Sequence, residues 1–148
     1  MPVLSLHSPL GDITLFEEDG SIVALEWGWS SYQESSPILD KAKQQLDDYF
    51  DGKRTTFDLP LAPNGTDFQK RVWDKMLTIQ SGDTLTYKEI SDALKSAPRA
   101  VGGACGKNPI PIIIPCHRVL ASNGGFGGYS GDGGIDTKKQ LLTLEGAL

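Results

Sequence analysis

The sequence contains few of the residues that build metal sites and disulfide networks. Its 148 residues include two cysteines, Cys105 and Cys116, and two histidines, His7 and His117. Two cysteines cannot form a disulfide framework or a cysteine-rich zinc site. We therefore expect neither a metal nor a cofactor, and a reducing compartment such as the cytoplasm.

Long apolar runs are also missing. Residues 1–12 lack the cationic start and the apolar stretch of a signal peptide, and no later run could span a bilayer, so we expect no membrane segment. Apolar residues make up 39% of the chain, which is enough for one ordinary core or for a small domain joined to a helical one.

The formal net charge of −5 argues against a protein that coats nucleic acid without selectivity, but the charge is unevenly distributed. Residues 1–67 carry 4 basic and 12 acidic side chains, whereas residues 68–118 carry 8 basic and 4 acidic ones. We therefore expect an anionic partner to bind the middle of the chain.

Patterns in the first third predict a small α+β domain with a connector, over residues 1–62. Two β-rich runs flank Asp19-Gly20, a typical hairpin turn. Ser36-Pro37 combines a capping serine with a proline at the first helical position, which predicts the start of a helix. The apolar face of that helix would comprise Ile38, Ala42, Leu46 and Tyr49.

Residues 63–148 favour helices and form the second predicted domain. The segments "TDFQ" and "TYKE" are capping boxes, each of which opens a helix. The second is followed by "RAVGGACGKN", which predicts a helix-turn-helix with a glycine-rich second helix. The glycines either let another large molecule approach the backbone closely or allow tight packing on neighbouring helices, and the pattern leaves both open.

The segment "NPIPIIIPCHRVL" contains the candidate reactive thiol. Its prolines exclude a helix, and Ile112–Ile114 predict a short buried strand. A thiol becomes reactive when it is deprotonated or has a base nearby, and His117 directly follows Cys116. Adjacent side chains diverge in regular structure, so the pair needs a bend after Pro115 or a bridging water. A buried structural cysteine beside a surface histidine is the alternative.

Glu145 is a candidate partner for His117. It borders the apolar face of the last helix, for which Asp136 is the predicted cap. A partly buried carboxylate needs a partner, and a carboxylate–histidine pair is a common way to orient a base. A glutamate that faces water at the helix end is the alternative.

Cys105 and Arg118 complete the set of notable side chains. Cys105 lies on the predicted second helix of the helix-turn-helix and has no base beside it, which favours a packing residue over a second acceptor. Arg118 is interpreted as an internal strut that pairs with carbonyls or an acid.

These motifs, in this order, resemble the O6-alkylguanine-DNA alkyltransferases, also called methylated-DNA–protein cysteine methyltransferases. The matching segments are "TYKEI", "RAVGGA", "NPIPIII", "PCHRV", "GYSG" and "LLTLEG", within Phe68–Gly146, and more weakly "SPLGDITLFEEDGSIVALEWG". The resemblance implies an α+β fold, with an RNase H-like antiparallel sheet and helix followed by a winged helix-turn-helix-like domain. It also implies a monomer in the cytoplasm, on the nucleoid if the source is prokaryotic.

The resemblance further implies a direct reversal of DNA damage in a single turnover. Cys116 would irreversibly accept an alkyl group from O6-alkylguanine in double-stranded DNA, with O4-alkylthymine as a further candidate substrate. His117 would take the thiol proton through a water, and Glu145 would orient His117. Asn108 would brace the active-site turn. Tyr87 would help to rotate the nucleotide out of the stack and to protonate the departing guanine.

By the same resemblance, the second helix of the helix-turn-helix binds the minor groove of DNA. Arg99 would fill the gap that the flipped nucleotide leaves in the duplex. The residues implied to contact the DNA or the flipped base are Tyr87, Arg99, Ala100, Gly102, Gly103, Tyr129 and Ser130.

The chain departs from the family pattern in three places. The turn between Tyr87 and Arg99 is shorter than in usual members, and Pro98 immediately precedes the implied arginine finger. The loop after "GYSG" is longer. The N-terminal half contains no cysteine, which excludes the cysteine–histidine zinc site of some relatives.

Three other functions compete with alkyl transfer. A lesion-binding module of the same fold would have lost the acceptor, whereas Cys116 is present. A cysteine hydrolase could use Cys116, His117 and Glu145, but it would not account for Arg99 or for the basic middle of the chain. A helix-turn-helix regulator would leave the cysteine, histidine and glutamate unexplained.

Overall fold

The computed structural model describes residues 1–123, 125–127 and 134–148, and it divides into two compact units, Met1–Asn64 and Gly65–Leu148. The α+β fold class is confirmed, since an antiparallel sheet dominates the first unit and helices dominate the second. None of the described helices is long and apolar enough to cross a membrane.

Three antiparallel strands form the sheet of the first unit in the order β1 (Val3–Leu6), β2 (Ile13–Glu18) and β3 (Ser21–Trp27). Asp19 and Gly20 join β2 to β3 with φ angles of 51° and 83°, the left-handed conformation that a tight hairpin turn requires. The hairpin prediction is confirmed.

Helix α1 (Pro37–Phe50) packs against this sheet and begins where the sequence predicts. The Ser36 hydroxyl accepts a hydrogen bond from the Leu39 backbone N–H at 3.1 Å, which satisfies one of the unpaired donors of the first turn. The predicted apolar face is confirmed at Ala42, Leu46 and Tyr49, but its first member is Leu39, because Ile38 is only half-buried.

Helices and one short parallel strand pair make up the described part of the second unit. They are α2 (Asp67–Met76), β4 (Leu85–Thr86), α3 (Tyr87–Leu94), α4 (Pro98–Gly106), β5 (Val119–Leu120) and α5 (Ile135–Leu144). Both predicted capping boxes are present, at Thr66 with Gln69 and at Thr86 with Glu89. Helices α3 and α4 form the predicted helix-turn-helix.

The predicted strand at Ile112–Ile114 is wrong. The isoleucines are buried, but they form a tight turn in which the Ile114 N–H donates to the Ile110 carbonyl at 2.9 Å, and Ile112 has a φ of 75°. A positive φ is rare for a β-branched residue, so the surroundings must hold this turn in place.

The predicted cap of the last helix is also wrong. Gly134 is the N-cap of α5, with a φ of 54° and no capping side chain, and Asp136 lies inside the first turn. A carboxylate in the first turn still interacts favourably with the helix dipole, which accounts for an acid at this position.

Candidate active site

Asn108 holds the turn that precedes the reactive cysteine. Its side-chain Nδ2 donates to the Ile114 carbonyl at 2.8 Å, and its Oδ1 accepts from the Ile110 N–H at 3.0 Å. One buried amide therefore ties together both ends of the turn, in the bracing position that the resemblance implies. Because these partners are buried, replacing Asn108 would leave backbone groups without hydrogen bonds.

Pro115 bends the chain immediately before Cys116, as the adjacent Cys-His pair requires. Its φ of −82° and ψ of 67°, with the Cys116 N–H donating to the Ile114 carbonyl at 2.8 Å, define an inverse γ-turn. A 3₁₀ helix then runs from Cys116 to Arg118. This compact turn, rather than a strand, directs the side chains of Cys116 and His117.

His117 and Glu145 are in direct contact. Nε2 of His117 lies 2.8 Å from Oε2 of Glu145, although 28 residues separate them along the chain. Both side chains are buried, with exposed fractions of 0% and 1%. The pairing that the apolar border of α5 suggests is therefore present, and the alternative of a solvent-facing glutamate is excluded.

Arg118 holds the same carboxylate from its other side. Its Nε and Nη2 donate to Oε1 and Oε2 of Glu145, each at 2.8 Å, and its Nη1 donates to the Ile79 carbonyl at 2.6 Å. Such two-pronged bonds fix geometry as well as charge. The acid with which the predicted internal strut pairs is Glu145.

The partners of His117 determine where its proton lies. A carboxylate bonded to a guanidinium only accepts hydrogen bonds, so Nε2 of His117 must donate to Glu145. Burial lowers the pKa of His117, while the hydrogen bond and charge of Glu145 oppose that effect and Arg118 adds to it. The resting imidazole is therefore neutral, with a lone pair on Nδ1. Within the described part of the chain, this Nδ1 is the one buried side-chain nitrogen or oxygen without a hydrogen-bond partner.

The Cys116 thiol is held neutral at rest. Only 5% of the residue is exposed, and burial raises the pKa of the thiol, opposed by a hydrogen bond to the Asn108 side chain and by the charge of Lys138. A neutral thiol is a weak nucleophile, so its activation requires a base.

Tyr87 reaches this region through the short strand pair. Strands β4 and β5 are parallel, with Leu85 opposite Val119, and Tyr87 is the first residue after β4. Its ring is half-buried, and a Cβ added at Gly127 would lie 2.8 Å from ring atom Cε2. Gly127 therefore provides the space in which this ring sits.

Sequence reasoning missed Lys138. Its side chain is fully buried, and its Nζ donates to the Val119 carbonyl at 2.6 Å and lies 5.8 Å from the centroid of the Tyr87 ring. A signal was available, because Lys138 lies three and four residues before the buried Leu141 and Leu142, on the apolar face of the helix.

Cys105 is a buried residue of α4. Its Sγ lies 3.6 Å from Sδ of Met76, and burial is the main cause that raises the pKa of Cys105 to about 12. A thiol with this pKa is protonated at neutral pH, which supports its interpretation as a packing residue.

Apart from Arg99, the outer face of α4 carries small residues. Arg99, Ala100 and Gly103 are exposed, and Gly102 is half-buried. A Cβ added at Gly102 or Gly103 would meet no described atom within 4 Å. Among the described residues, no neighbour packs against these two positions, so this face of α4 has room for another molecule to approach.

Arg99 is the second residue of α4, after Pro98, and it is exposed. The shortened turn before it is closed by Lys95, which caps α3 in the left-handed conformation with a φ of 55°. Two further residues with predicted roles, Tyr129 and Ser130, lie outside the described residues.

Metal-binding clusters are absent from the described ranges, in which no three His, Cys, Asp or Glu side chains could hold an ion. The groups that can perform chemistry around Cys116 are instead a neutral base and a buried ion pair. This arrangement can remove a proton from the thiol.

The sequence matches two family models in succession. Residues 4–63 match the 6-O-methylguanine DNA methyltransferase ribonuclease-like domain, and residues 67–147 match the DNA binding domain of the same family. A methylated-DNA–protein-cysteine methyltransferase from Metallosphaera sedula is 45% identical over 145 residues, which cover 95% of this chain and 90% of that protein. The constitutive enzyme of the same name from Bacillus subtilis is 39% identical, covering 94% and 92%.

The fold is similar to that of a solved protein bound to DNA. The crystal structure of Mycobacterium tuberculosis OGT in complex with DNA superposes with a TM-score of 0.88 at 41% sequence identity. The match covers 99% of this chain and 94% of the other.

Proposed function

The chain belongs to the 6-O-methylguanine DNA methyltransferase family, which repairs DNA by methyl transfer to a cysteine, and we propose that the accepting cysteine is Cys116. The family resemblance noted from the sequence is thereby confirmed, and DNA is the macromolecular partner. The observation that carries the proposal is the buried Glu145–His117 pair beside Cys116, with Nδ1 of His117 left as an acceptor.

The first step is removal of the thiol proton. A water between Cys116 Sγ and His117 Nδ1 passes the proton to the imidazole, and the Glu145 carboxylate stabilises the imidazolium that results. Arg118 keeps Glu145 in place throughout, because it holds both carboxylate oxygens. The charge that forms on the imidazole therefore needs no rearrangement of its partner.

The second step forms the S–C bond and breaks the bond between the methyl carbon and O6. The electron pair of the broken bond goes to the guanine, which takes a proton from Tyr87, and the imidazolium proton replaces the one that Tyr87 gives. The thioether is stable, and the protonated Cys105 is no nucleophile that could remove the methyl group. Each molecule therefore reacts once.

The target base must leave the duplex before it reaches Cys116. The cysteine is 5% exposed, and an O6-methyl group lies within the base stack, so the nucleotide has to be flipped into the protein. Arg99 is exposed at the start of α4, where a cationic side chain can enter the gap and stabilise the distorted duplex. Tyr129 and Ser130 would contact the flipped base.

Helix α4 binds the minor groove in this proposal. The groove is only about 6 Å wide, so a helix can approach its floor only with a face of very small side chains. The open space around Gly102 and Gly103 supplies such a face. One copy of α4 suffices for one lesion, which supports a monomer as the functional unit. The cytoplasmic location stays a prediction.

The test is the intact mass of the protein after incubation with a duplex that contains one O6-methylguanine. We expect a gain of one methyl group per molecule, on the peptide that carries Cys116. Cys116→Ala should gain none, and Cys105→Ala, the matched control, should gain as much as the wild type. A methyl group on another residue would overturn the assignment of Cys116. Tight lesion binding without transfer would indicate a lesion-binding module instead.

A further inference from the structure

The proposed transfer leaves one buried charge unused. Lys138 lies in the first half of α5, fully buried, although lysine is among the residues least often found inside a protein. Its Nζ donates to the Val119 carbonyl at 2.6 Å. Removing an ammonium group from water is costly, so its presence beside the reactive turn calls for a function.

The position of Lys138 connects the parts of the site. Val119 directly follows the 3₁₀ helix that contains Cys116 and His117, and it pairs with β4, which leads into Tyr87. The ammonium group lies 5.8 Å from the centroid of the Tyr87 ring, within the range of a cation–π contact. One cation therefore contacts both chain segments that bring the reacting groups together.

The charge of Lys138 also acts on the acceptor thiol. Burial raises the pKa of Cys116, and Lys138 opposes this effect. The influence is reciprocal, since burial lowers the pKa of Lys138 and a thiolate at Cys116 or Cys105 opposes that decrease. The geometry is consistent with this effect, because the buried ammonium group bonds the carbonyl of Val119, the residue that directly follows the helix of Cys116 and His117.

We propose that Lys138 is a positioning residue for methyl transfer, whose ammonium group stabilises the negative charge on Cys116 Sγ after its proton has moved to His117. This role rests on the proposed function of Cys116. The sulfur carries the charge only between loss of the proton and formation of the S–C bond, after which the electron pair of the C–O6 bond has moved to the guanine. A buried cation acts during that interval, because low polarity strengthens its field.

The ionisable groups around this space determine the pH response. Those described on the neighbouring elements are Tyr87 of α3, Cys105 of α4, Cys116, His117 and Arg118 of the 3₁₀ helix, and Glu145, the residue that caps the C-terminus of α5. Removing the Lys138 charge raises the pKa of Cys116, so less thiolate is present at low pH. The acidic limb of the rate profile should therefore move to higher pH.

Two substitutions separate charge from structure. Lys138→Gln retains a donor for the Val119 carbonyl without the charge, and Lys138→Met removes both. The control is Lys139→Met, which removes the adjacent charge from an exposed side chain. Single-turnover transfer is measured at saturating O6-methylguanine duplex across a pH series, and thermal unfolding confirms that each variant is folded.

We expect both Lys138 variants to shift the acidic limb upward by about one pH unit, which makes transfer about tenfold slower below the midpoint. Lys139→Met should keep the wild-type profile. A purely structural role predicts instead that Lys138→Gln behaves as the wild type and that Lys138→Met is slower by the same factor at every pH. That result would overturn the proposal, as would an unshifted profile in both variants.

A DNA-free measurement keeps this proposal separate from the proposed function. The rate at which iodoacetamide alkylates Cys116, mapped by peptide mass across the same pH series, reports the thiolate fraction directly. If the alkylation profile of Lys138→Gln shifts to higher pH, the role of the ammonium group is supported, whether or not the wild type transfers a methyl group. Absence of methyl transfer by the wild type would overturn only the proposed function. If the wild type transfers the methyl group but neither pH profile shifts in the Lys138 variants, only the proposed role of Lys138 is overturned.

Discussion

The two units use their buried polar side chains differently. In the described part of Met1–Asn64, buried polar groups support the fold: the Ser5 and Thr14 hydroxyls pair across the sheet at 2.7 Å, and Ser36 bonds Glu17 at 2.6 Å where α1 begins. In the described part of Gly65–Leu148 they include a buried histidine and arginine next to Cys116 in the chain, and a buried lysine that bonds the Val119 carbonyl. Buried charge is costly, so its concentration in the second unit marks where chemistry takes place.

The largest expected effect tests that contrast with one acid from each unit. Glu145→Gln leaves Arg118 and His117 without a charged partner, and we expect a loss of about 3 kcal/mol in the free energy of unfolding. Transfer should slow by about a hundredfold or more, because the base is no longer oriented. Denaturant unfolding and single-turnover kinetics measure the two effects.

Glu17→Gln is the matched control in the first unit. Glu17 accepts a hydrogen bond from Ser36 but has no buried cation among its described partners, so its loss should cost about 1 kcal/mol or less and leave transfer unchanged. If Glu17→Gln and Glu145→Gln reduced the free energy of unfolding equally, the two units would not differ in how they use buried acids.

The second prediction concerns pH and His117. Burial lowers the pKa of His117 below its ordinary value of 6.5. Below pH 6.5 the unfolded chain is protonated at His117, whereas the folded chain stays neutral there until the pH reaches its lower pKa. The free energy of unfolding therefore decreases as the pH falls from 6.5 toward the pKa of the folded state. The loss approaches about 1.4 kcal/mol per pH unit.

His117→Gln supplies the comparison for this pH effect, because the glutamine amide can still donate to Glu145 but does not titrate. Unfolding free energies measured between about pH 7.5 and pH 5 should converge for the two proteins as the pH falls. Parallel curves would show that His117 does not contribute to the pH dependence.

The contrast also explains what the sequence could predict. The hairpin at Asp19-Gly20 and the caps at Thr66 and Thr86 depend on neighbours within a few residues, and all three are present. The contact of Glu145 with His117 spans 28 residues, but it could be inferred because an acid on an apolar helix face needs a partner and few were available.

The errors arose where distant or side-chain contacts override local preference. Three consecutive isoleucines favour a strand, yet the Asn108 side chain closes them into a turn by bonding the Ile114 carbonyl. Lys138 was missed because a lysine is ordinarily a surface residue and its described acceptor, the Val119 carbonyl, lies 19 residues away. The helical spacing of Lys138 from Leu141 and Leu142 indicated its burial, but nothing in the sequence indicated its acceptor.

The third prediction concerns Gly103 on the exposed face of α4, where stability and DNA binding should change in opposite directions. Gly103→Ala adds a methyl group to open space in a helix, so we expect the protein to gain about 0.5–1 kcal/mol of stability. The same methyl group would prevent close approach to DNA and weaken binding by about tenfold, or 1.4 kcal/mol. Thermal unfolding and fluorescence anisotropy with a labelled duplex measure these opposite changes.

The control for Gly103→Ala is a substitution at Gly65, a glycine outside α4 that packs against another side chain. A Cβ at Gly65 would collide with the ring of Trp73, so Gly65→Ala should destabilise the protein. If Gly103→Ala were destabilising as well, the glycines of α4 would serve packing, and the minor-groove proposal would lose its main support.

The smallest effect concerns the shortened turn before Arg99. Lys95 adopts the left-handed conformation that glycine occupies without strain. Its N–H donates to the Asp92 backbone carbonyl, and the Ser96 N–H donates to the Ser91 backbone carbonyl. Lys95→Gly relieves the strain but adds freedom to the unfolded chain, so we expect a net gain of about 0.5 kcal/mol. Lys95→Ala removes the same charge without relieving the strain. A more stable Gly variant beside an unimproved Ala variant would show that the shortened turn is closed by a strained lysine. Equal stability of the two would show that the left-handed conformation of Lys95 costs the fold no measurable strain.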